Sequence, residues 1–449
     1  MTHTSLTRKR NKPLGLIELI AIALGGMIGG GIFTVLGISV ALIGPLTPLA
    51  IALGGVIAAF AAYSYIKLGV YYKDEGATYS FYKKVFPQEP FRAALIGWWV
   101  IFGYISTLAL YAFTFSSYAL SGTEYAHNED VRRLVAGGIL LIFTLINIWS
   151  VKGMGKVEDL MVYTKLFVLV AISLALAQNS KVSLTDLLVQ EENRFQLLPI
   201  LIVSSLTFVA YEGFQLVINA VNEMNHPEKN IPRAIYSAIF LATSIYVIIA
   251  LGAILAIPFE DIIRSKEFAL AAGAHNILGK SGYFLVILGA LLATSSAISG
   301  TVFGASRQMA VIAQDGFFPK ILTKRYKGSI PSVAIITMSS LAFTLILSGG
   351  LELILEFGSI TFLLVSLLMA FANHKVRKQT QSHPLITSFA IFSLSMGTFF
   401  ILFYELKNKP KQLIFVGTIY ALLTIGAWLF ALKKKQEMAI REPFAKQID

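Results

Sequence analysis

The chain has 449 residues, of which 56% are hydrophobic and 14% are charged, and its formal net charge is +12. Soluble globular proteins carry about a quarter charged residues, so this composition excludes an ordinary soluble domain. The absence of cysteine excludes disulfides, thiolate metal sites and cysteine nucleophiles.

Long apolar blocks recur along the chain, and each is long enough to cross a bilayer as a helix. They predict an all-α membrane protein with twelve transmembrane helices, named spans 1 to 12. The spans cover residues 16–39, 46–68, 93–120, 134–151, 157–178, 197–221, 233–257, 281–304, 330–349, 352–373, 384–404 and 411–432.

Most of the Lys and Arg residues lie in the tails and loops on the same side as the N-terminus. The positive-inside rule therefore predicts a multi-pass cell-membrane protein with both termini cytoplasmic, as tails 1–15 and 433–449. Loop lysines and arginines that set the topology explain the positive charge better than nucleic-acid binding does.

Span 1 contains the stretch LGGMIGGGIF, Leu24 to Phe33, in which five of ten residues are glycine. Each glycine weakens a helix by roughly 1 kcal/mol relative to alanine, so the stretch predicts a break in the helix. Glycines at this spacing also serve close helix packing. Taken alone, the glycines favour packing, and it is the matching interruption in span 6 that moves the prediction to a break.

Span 6 has a second interruption, Tyr211-Glu212-Gly213-Phe214, at the position that corresponds to the one in span 1. A charged side chain at the bilayer centre costs about 2.5–3.5 kcal/mol or more, so its presence indicates function. Glycine-interrupted helices at corresponding positions of two halves are typical of transporters built from inverted repeats. A broken helix offers N–H groups to an anion and carbonyls to a cation, which suits a zwitterion.

These two segments, GGMIGGGIF and FVAYEGFQ…NEMNHPEKNIPRAI, together with ASRQMAVIAQDGFFPK after span 8, resemble the amino acid–polyamine–organocation (APC) superfamily of transporters. The resemblance implies a transporter, not an enzyme, that works by alternating access. It also implies a five-plus-five inverted-repeat core with discontinuous helices 1 and 6. The repeats would be residues 16–178 and 197–373, followed by spans 11 and 12 in residues 384–432.

The resemblance further implies a substrate site made from backbone groups of the two breaks. Donors to the substrate carboxylate would be the N–H groups of Gly29, Gly30 and Gly31. Acceptors for its α-ammonium would be carbonyls of Met27 and of the segment that includes Phe208, Val209 and Tyr211. The side chains of Phe208 and Tyr211 would gate the site.

Lys165 lies within span 5, about eight residues from the end of the span that is predicted to be cytoplasmic. At the rise of a helix this is roughly 12 Å from that end. It is either a helix-end lysine that reaches the interface or a functional group. Some members of the resembling superfamily have a lysine here, where sodium-coupled relatives bind a cation. Its ammonium would then face the backbone near Gly25 and the hydroxyl of Ser295 or Ser296, although serines also bond to their own helix. We predict proton-coupled symport with Lys165 as the proton carrier.

Glu212 has two interpretations. It contacts a cationic group of the substrate, or it caps the broken helix and is held by packing. A carboxylate in the site favours amines or basic amino acids, but no second acid lies deep in spans 3, 8 or 10. We leave the substrate side chain open and favour small neutral amino acids.

The alternatives within transport are an amino acid/amine exchanger and a polyamine transporter, and outside transport a membrane sensor with the same fold. The expected partners are an amino acid, protons and lipid, with no nucleic acid, cofactor or metal. The sequence leaves the oligomeric state open.

Overall fold

The computed structural model describes residues 13–149, 154–179, 183, 196–265, 268–325 and 330–445. Among these residues the α-helices are α1 Leu16–Met27, α2 Gly31–Ile43, α3 Thr47–Tyr72, α4 Ala77–Val85, α5 Pro90–Leu120, α6 Glu129–Trp149, α7 Met154–Gln178, α8 Leu197–Leu206, α9 Leu216–Asn219, α10 Pro227–Ala256, α11 Phe259–Ser265, α12 Ala269–Gln314, α13 Ser332–Ser348, α14 Leu351–Lys375, α15 Pro384–Asn408 and α16 Pro410–Ala445.

Ten helical stretches of the described residues are long and apolar enough to cross a membrane, and two shorter apolar helices are Leu16–Met27 and Ser332–Ser348. Large apolar side chains such as Leu134, Phe167 and Phe240 point outward and are largely exposed, as lipid-facing residues are. The all-α membrane fold is confirmed. The count of twelve crossings, the inverted repeat and the division into segments stay predictions.

Several helices begin at residues that sequence chemistry favours at a helix start. Pro90, Pro227 and Pro384 each occupy the first position of a helix, where the missing N–H has no intrahelical partner to lose. At the start of α1, the Glu18 carboxylate accepts a hydrogen bond from the Gly15 N–H at 2.9 Å. Helices α1 and α15 begin where spans 1 and 11 were predicted to begin, whereas α5 and α10 begin three and six residues before the predicted starts of spans 3 and 7.

The predicted break in span 1 is confirmed. Helix α1 ends at Met27 and α2 begins at Gly31, with Ile28 in a non-helical conformation between them (φ −84°, ψ 81°). The Gly29 N–H closes this turn by donating to the Met27 carbonyl at 2.9 Å.

The predicted break in span 6 is confirmed as well. Helix α8 passes into a 3₁₀ helix, Thr207–Tyr211, and the chain then extends at Glu212 (φ −65°, ψ 139°). Gly213 has φ +123°, a conformation open mainly to glycine, and the short helix α9 follows. A Cβ atom at Gly213 would lie 2.6 Å from the Met27 backbone nitrogen, so the two breaks touch backbone to backbone.

Side-chain contacts join α4 and α5 to the chain segment that follows α12. Asp315, just after α12, accepts hydrogen bonds from the Tyr79 hydroxyl and the Lys83 ammonium of α4, both at 2.7 Å. The Trp98 indole N–H donates to the Phe317 carbonyl at 2.7 Å. These contacts tie α4 and the chain after α12 to the ends of the membrane helices.

Candidate functional site

A cavity lies directly beside the two breaks, with about 320 Å³ of empty space including its opening. Much of this space is open to solvent, so the enclosed part is well below the about 300–1,000 Å³ that is typical of ligand pockets. Its lining comes from both broken helices and from α5, α12 and α14. The lining residues are Gly26, Tyr104, Thr107, Tyr111, Glu212, Gly213, Leu216, Thr301, Ala305 and Phe362.

Glu212 is the predicted site residue that reaches this cavity, and its side chain is only 3% exposed. Its Oε2 accepts a hydrogen bond from the Gln215 amide at 2.5 Å, while its Oε1 has no hydrogen-bond partner. The Gln215 amide also donates to the Tyr104 hydroxyl at 3.1 Å, and its Oε1 accepts the Gly213 N–H at 3.2 Å. Gln215 therefore fixes the Glu212 carboxylate against both the break and α5.

The glycines of span 1 serve close packing as well as the break. A Cβ atom at Gly29 would lie 2.7 Å from the Tyr111 ring, and one at Gly30 would lie 2.8 Å from the Thr114 hydroxyl. The first turn of α2, which begins at Gly31, leaves backbone N–H groups without intrahelical partners. The two interpretations of this stretch are thus compatible, because α5 packs against the same backbone that the break exposes.

The Met27 carbonyl, a predicted acceptor for the substrate ammonium, already has two donors. It accepts the Gly29 N–H and the Tyr246 hydroxyl, the latter at 2.8 Å. The same hydroxyl lies 2.9 Å from the Ala210 carbonyl and shares its proton between the two oxygens. A carbonyl has two lone pairs, so a substrate ammonium at Met27 would compete with the Gly29 N–H and the Tyr246 hydroxyl.

Tyr246 of α10 thus joins the two breaks, and it is not among the residues predicted from the sequence. Its side chain is fully buried. A buried tyrosine hydroxyl needs a partner, so a tyrosine within an apolar span is the signal that could have identified it.

The other predicted residues of span 6 lie next to the cavity without lining it. Phe208, Val209 and Tyr211 are buried, and the Tyr211 hydroxyl donates to the Ile51 carbonyl of α3 at 2.7 Å. The Val209 carbonyl accepts the Glu212 N–H at 3.2 Å. Their predicted roles as ammonium acceptors or gates stay predictions.

Lys165 is fully buried in α7, and its ammonium points at the first break. It donates to the carbonyls of Gly25 at 3.1 Å and Ile28 at 2.6 Å, and to the Ser296 hydroxyl of α12 at 2.8 Å. These oxygen acceptors come from two helices and the break. The ammonium therefore does not reach the interface as a helix-end lysine would.

Of the two candidate serines, the structure brings Ser296 to Lys165. Ser296 also donates back to the Ala293 carbonyl of its own helix at 3.0 Å, so this hydroxyl makes both of the expected contacts, while its role in proton coupling stays a prediction. Ser295, one residue away on the helix, has a different orientation and is partly exposed.

The cavity residues that come from α5, α12 and α14 are not among those predicted from the sequence. Tyr104, Thr107 and Tyr111 recur at helical spacing in span 3, and this polar and aromatic face was the available signal. Thr301 and Phe362 carry no local signal, because threonine and phenylalanine are common on any membrane helix.

Two broken helices that meet at a small cavity lined in part by Glu212, with a buried lysine behind one break, define the class of membrane transporters with discontinuous helices. The comparison with solved structures agrees. The fold matches the crystal structure of an Eremococcus coleocola manganese transporter with a TM-score of 0.62 at 11% identity, covering 98% of this chain and 99% of that one. At this identity the match concerns the fold alone.

Residues 14–430 match the family model described as amino acid permease, and the chain belongs to that family. It is similar to the inner membrane transport protein YbaT of Escherichia coli, at 29% identity over 93% of this chain and 92% of that protein. It is also similar to the large neutral amino acids transporter small subunit 2 of Mus musculus, at 29% identity over 80% and 69%. The predicted APC superfamily is confirmed: the protein is a multi-pass membrane permease and not an enzyme.

Proposed function

We propose that the protein imports amino acids by proton-coupled symport, with Lys165 as the proton carrier and alternating access around the two breaks. We infer amino acids as the substrate class from the family and from the name of the mouse relative. Both termini would be cytoplasmic, as the distribution of Lys and Arg indicates.

The observation that carries the proton coupling is the set of ligands around Lys165. Gly25 lies at the end of α1 and Ile28 lies within the break, so the ammonium holds the two together. A charged donor makes stronger hydrogen bonds than a neutral one. Loss of the proton would weaken both bonds and free α1 to move relative to α7 and α12.

This links the proton to the substrate, because the same break offers its backbone groups to the substrate. Protonated Lys165 would hold the break in the geometry that binds substrate. Deprotonation on the low-proton side would release α1 and the substrate together. An ammonium fixed by oxygen ligands also removes the need for a sodium ion at this place.

The test is uptake of radiolabelled amino acids into proteoliposomes, driven first by a pH gradient and then by a sodium gradient. Wild-type protein should accumulate substrate with an inward proton gradient, should lose accumulation when an ionophore collapses the gradient, and should not respond to sodium. Lys165→Ala should lose gradient-driven accumulation. Lys67→Ala is the matched control, because Lys67 lies outside the site and donates to the Gln381 carbonyl.

Three results would point elsewhere. Sodium stimulation without a pH effect, or an unchanged pH dependence in Lys165→Ala, would refute proton coupling through this lysine. Substrate exchange without net uptake would indicate the exchanger, and binding without any flux would indicate a sensor.

A further inference from the structure

The Glu212 carboxylate has one oxygen that accepts a hydrogen bond and one buried oxygen without a partner. Gln215 occupies Oε2, whereas the buried Oε1 has no hydrogen-bond donor, and Glu212 is one of the residues that line the cavity. Gln215 acts here as a positioning residue, because its three hydrogen bonds fix where Oε1 points.

Within the described ranges, Glu212 forms no ion pair with Lys, Arg or His. The basic group deep in a span, Lys165, is directed instead at Gly25, Ile28 and Ser296. A buried carboxylate without a cationic partner is unfavourable, and a ligand that supplies both positive charge and N–H donors would satisfy it.

Aromatic rings complete the chemistry of the cavity. Tyr104, Tyr111 and Phe362 line it around Glu212, and the rings of Tyr104 and Phe362 are 5.7 Å apart in an edge-to-face arrangement. Aromatic faces attract cations, and the effect is strongest where water is excluded. A carboxylate framed by aromatic rings is suited to an ammonium group.

We propose that Glu212 selects the substrate by its side chain, and that the preferred substrates are amino acids with a short side-chain ammonium. The proposal rests on amino acid transport as the function, and it differs from the small neutral substrates that the sequence favoured. The α-amino and carboxylate groups would bind at the breaks, and the side chain would extend to Glu212. The small cavity favours short diamino acids over longer basic ones.

The test compares L-ornithine with L-norleucine, in which a methyl group replaces the terminal ammonium. L-Glutamine serves as a neutral side chain with N–H donors. Counterflow in proteoliposomes without a proton gradient measures the preference independently of proton coupling. Wild-type protein should prefer ornithine over both neutral compounds by about 10- to 100-fold, the range for a hydrogen bond to a charged group.

Glu212→Gln should abolish this preference by raising the KM for ornithine while leaving that for norleucine close to wild type. Glu356→Gln is the matched control, because Glu356 is equally buried in a membrane helix, bonds to Lys409 and does not line the cavity. It should keep the preference for ornithine. Thermal stabilisation of purified wild-type protein by each compound gives a second measurement that does not depend on the folding of any variant.

Several outcomes would overturn the proposal. One is wild-type counterflow and stabilisation by norleucine or glutamine equal to those by ornithine, which leaves amino acid transport intact. Another is a Glu212→Gln variant that keeps the preference. Failure of every amino acid to support counterflow would refute the proposed function as well, so the two failures are distinguishable.

Discussion

Gly213→Ala tests whether the contact between the two breaks is as close as the structure shows. Gly213 combines φ +123° with a position against the backbone of the other broken helix. A Cβ atom there would lie 2.6 Å from the Met27 nitrogen and 2.8 Å from the Gly26 Cα. Backbone atoms cannot rotate away as a side chain can, so the breaks would have to separate.

The expected penalty has two parts. Forcing a residue with a side chain into this region of φ costs about 1–3 kcal/mol. Overpacking against atoms that cannot yield typically costs about 1–3 kcal/mol more. The free energy of unfolding should therefore fall by on the order of 2–6 kcal/mol. Because the same contact shapes the cavity, uptake should fall with it.

The assay is the apparent melting temperature of the purified protein in detergent, together with uptake in proteoliposomes. Gly138→Ala is the matched control, because a Cβ atom at Gly138 in α6 meets nothing within 4 Å. That variant should be neutral or more stable by about 0.5–1 kcal/mol, since alanine favours the helix. Gly213→Ala should melt several degrees lower than both Gly138→Ala and wild type.

A Gly213→Ala protein that melts and transports like Gly138→Ala would show that the breaks are not in backbone contact. The cavity wall and the placement of Glu212 depend on that contact, so this result would contradict the described site.

Two further predictions concern the Tyr246 contact that joins the two breaks and the membrane topology of the chain. Tyr246→Phe should lower the free energy of unfolding by about 1–3 kcal/mol, because the buried Ala210 carbonyl loses its hydroxyl donor; thermal unfolding measures it. In the cysteine-free chain, a Ser5→Cys variant should react with a membrane-impermeant maleimide only after cells are permeabilised, because the N-terminus is predicted to be cytoplasmic.

Each of these has a control. Tyr125→Phe removes the hydroxyl of a half-exposed tyrosine outside the site and should leave stability unchanged. Equal effects of Tyr125→Phe and Tyr246→Phe would contradict the bridging role of Tyr246. Glu124→Cys, exposed between α5 and α6, should react on intact cells. Reaction of Ser5→Cys on intact cells would reverse the topology.

The sequence determined the class of fold and the places where two helices break. Lipid cannot satisfy backbone N–H and C=O groups, so long apolar blocks in a polytopic chain have to be helices. The breaks are equally local, because helix propensity and backbone freedom depend on the glycines and on Glu212 themselves. Lys165 was conspicuous for a similar reason, since a basic residue within an apolar span is expensive anywhere in the chain.

The rotation of each helix about its axis was decided only by packing. Adjacent residues on a helix point about 100° apart, so local sequence cannot tell whether Ser295 or Ser296 faces Lys165. The tertiary structure places Ser296 there, and it brings Tyr104 and Thr301 to one cavity although they are far apart in the chain.

Whether a backbone group of the break is free was also decided outside the break. The Met27 carbonyl was predicted to be open to substrate, but Tyr246, from a distant helix, donates to it. For Glu212 the outcome is the opposite, because packing leaves its Oε1 without a hydrogen-bond donor. The sequence determined where charged side chains and unpaired backbone groups would occur. Only the tertiary structure decided which of these groups form hydrogen bonds within the protein and which remain for a ligand. The reason is that their hydrogen-bond partners come from residues distant in the chain.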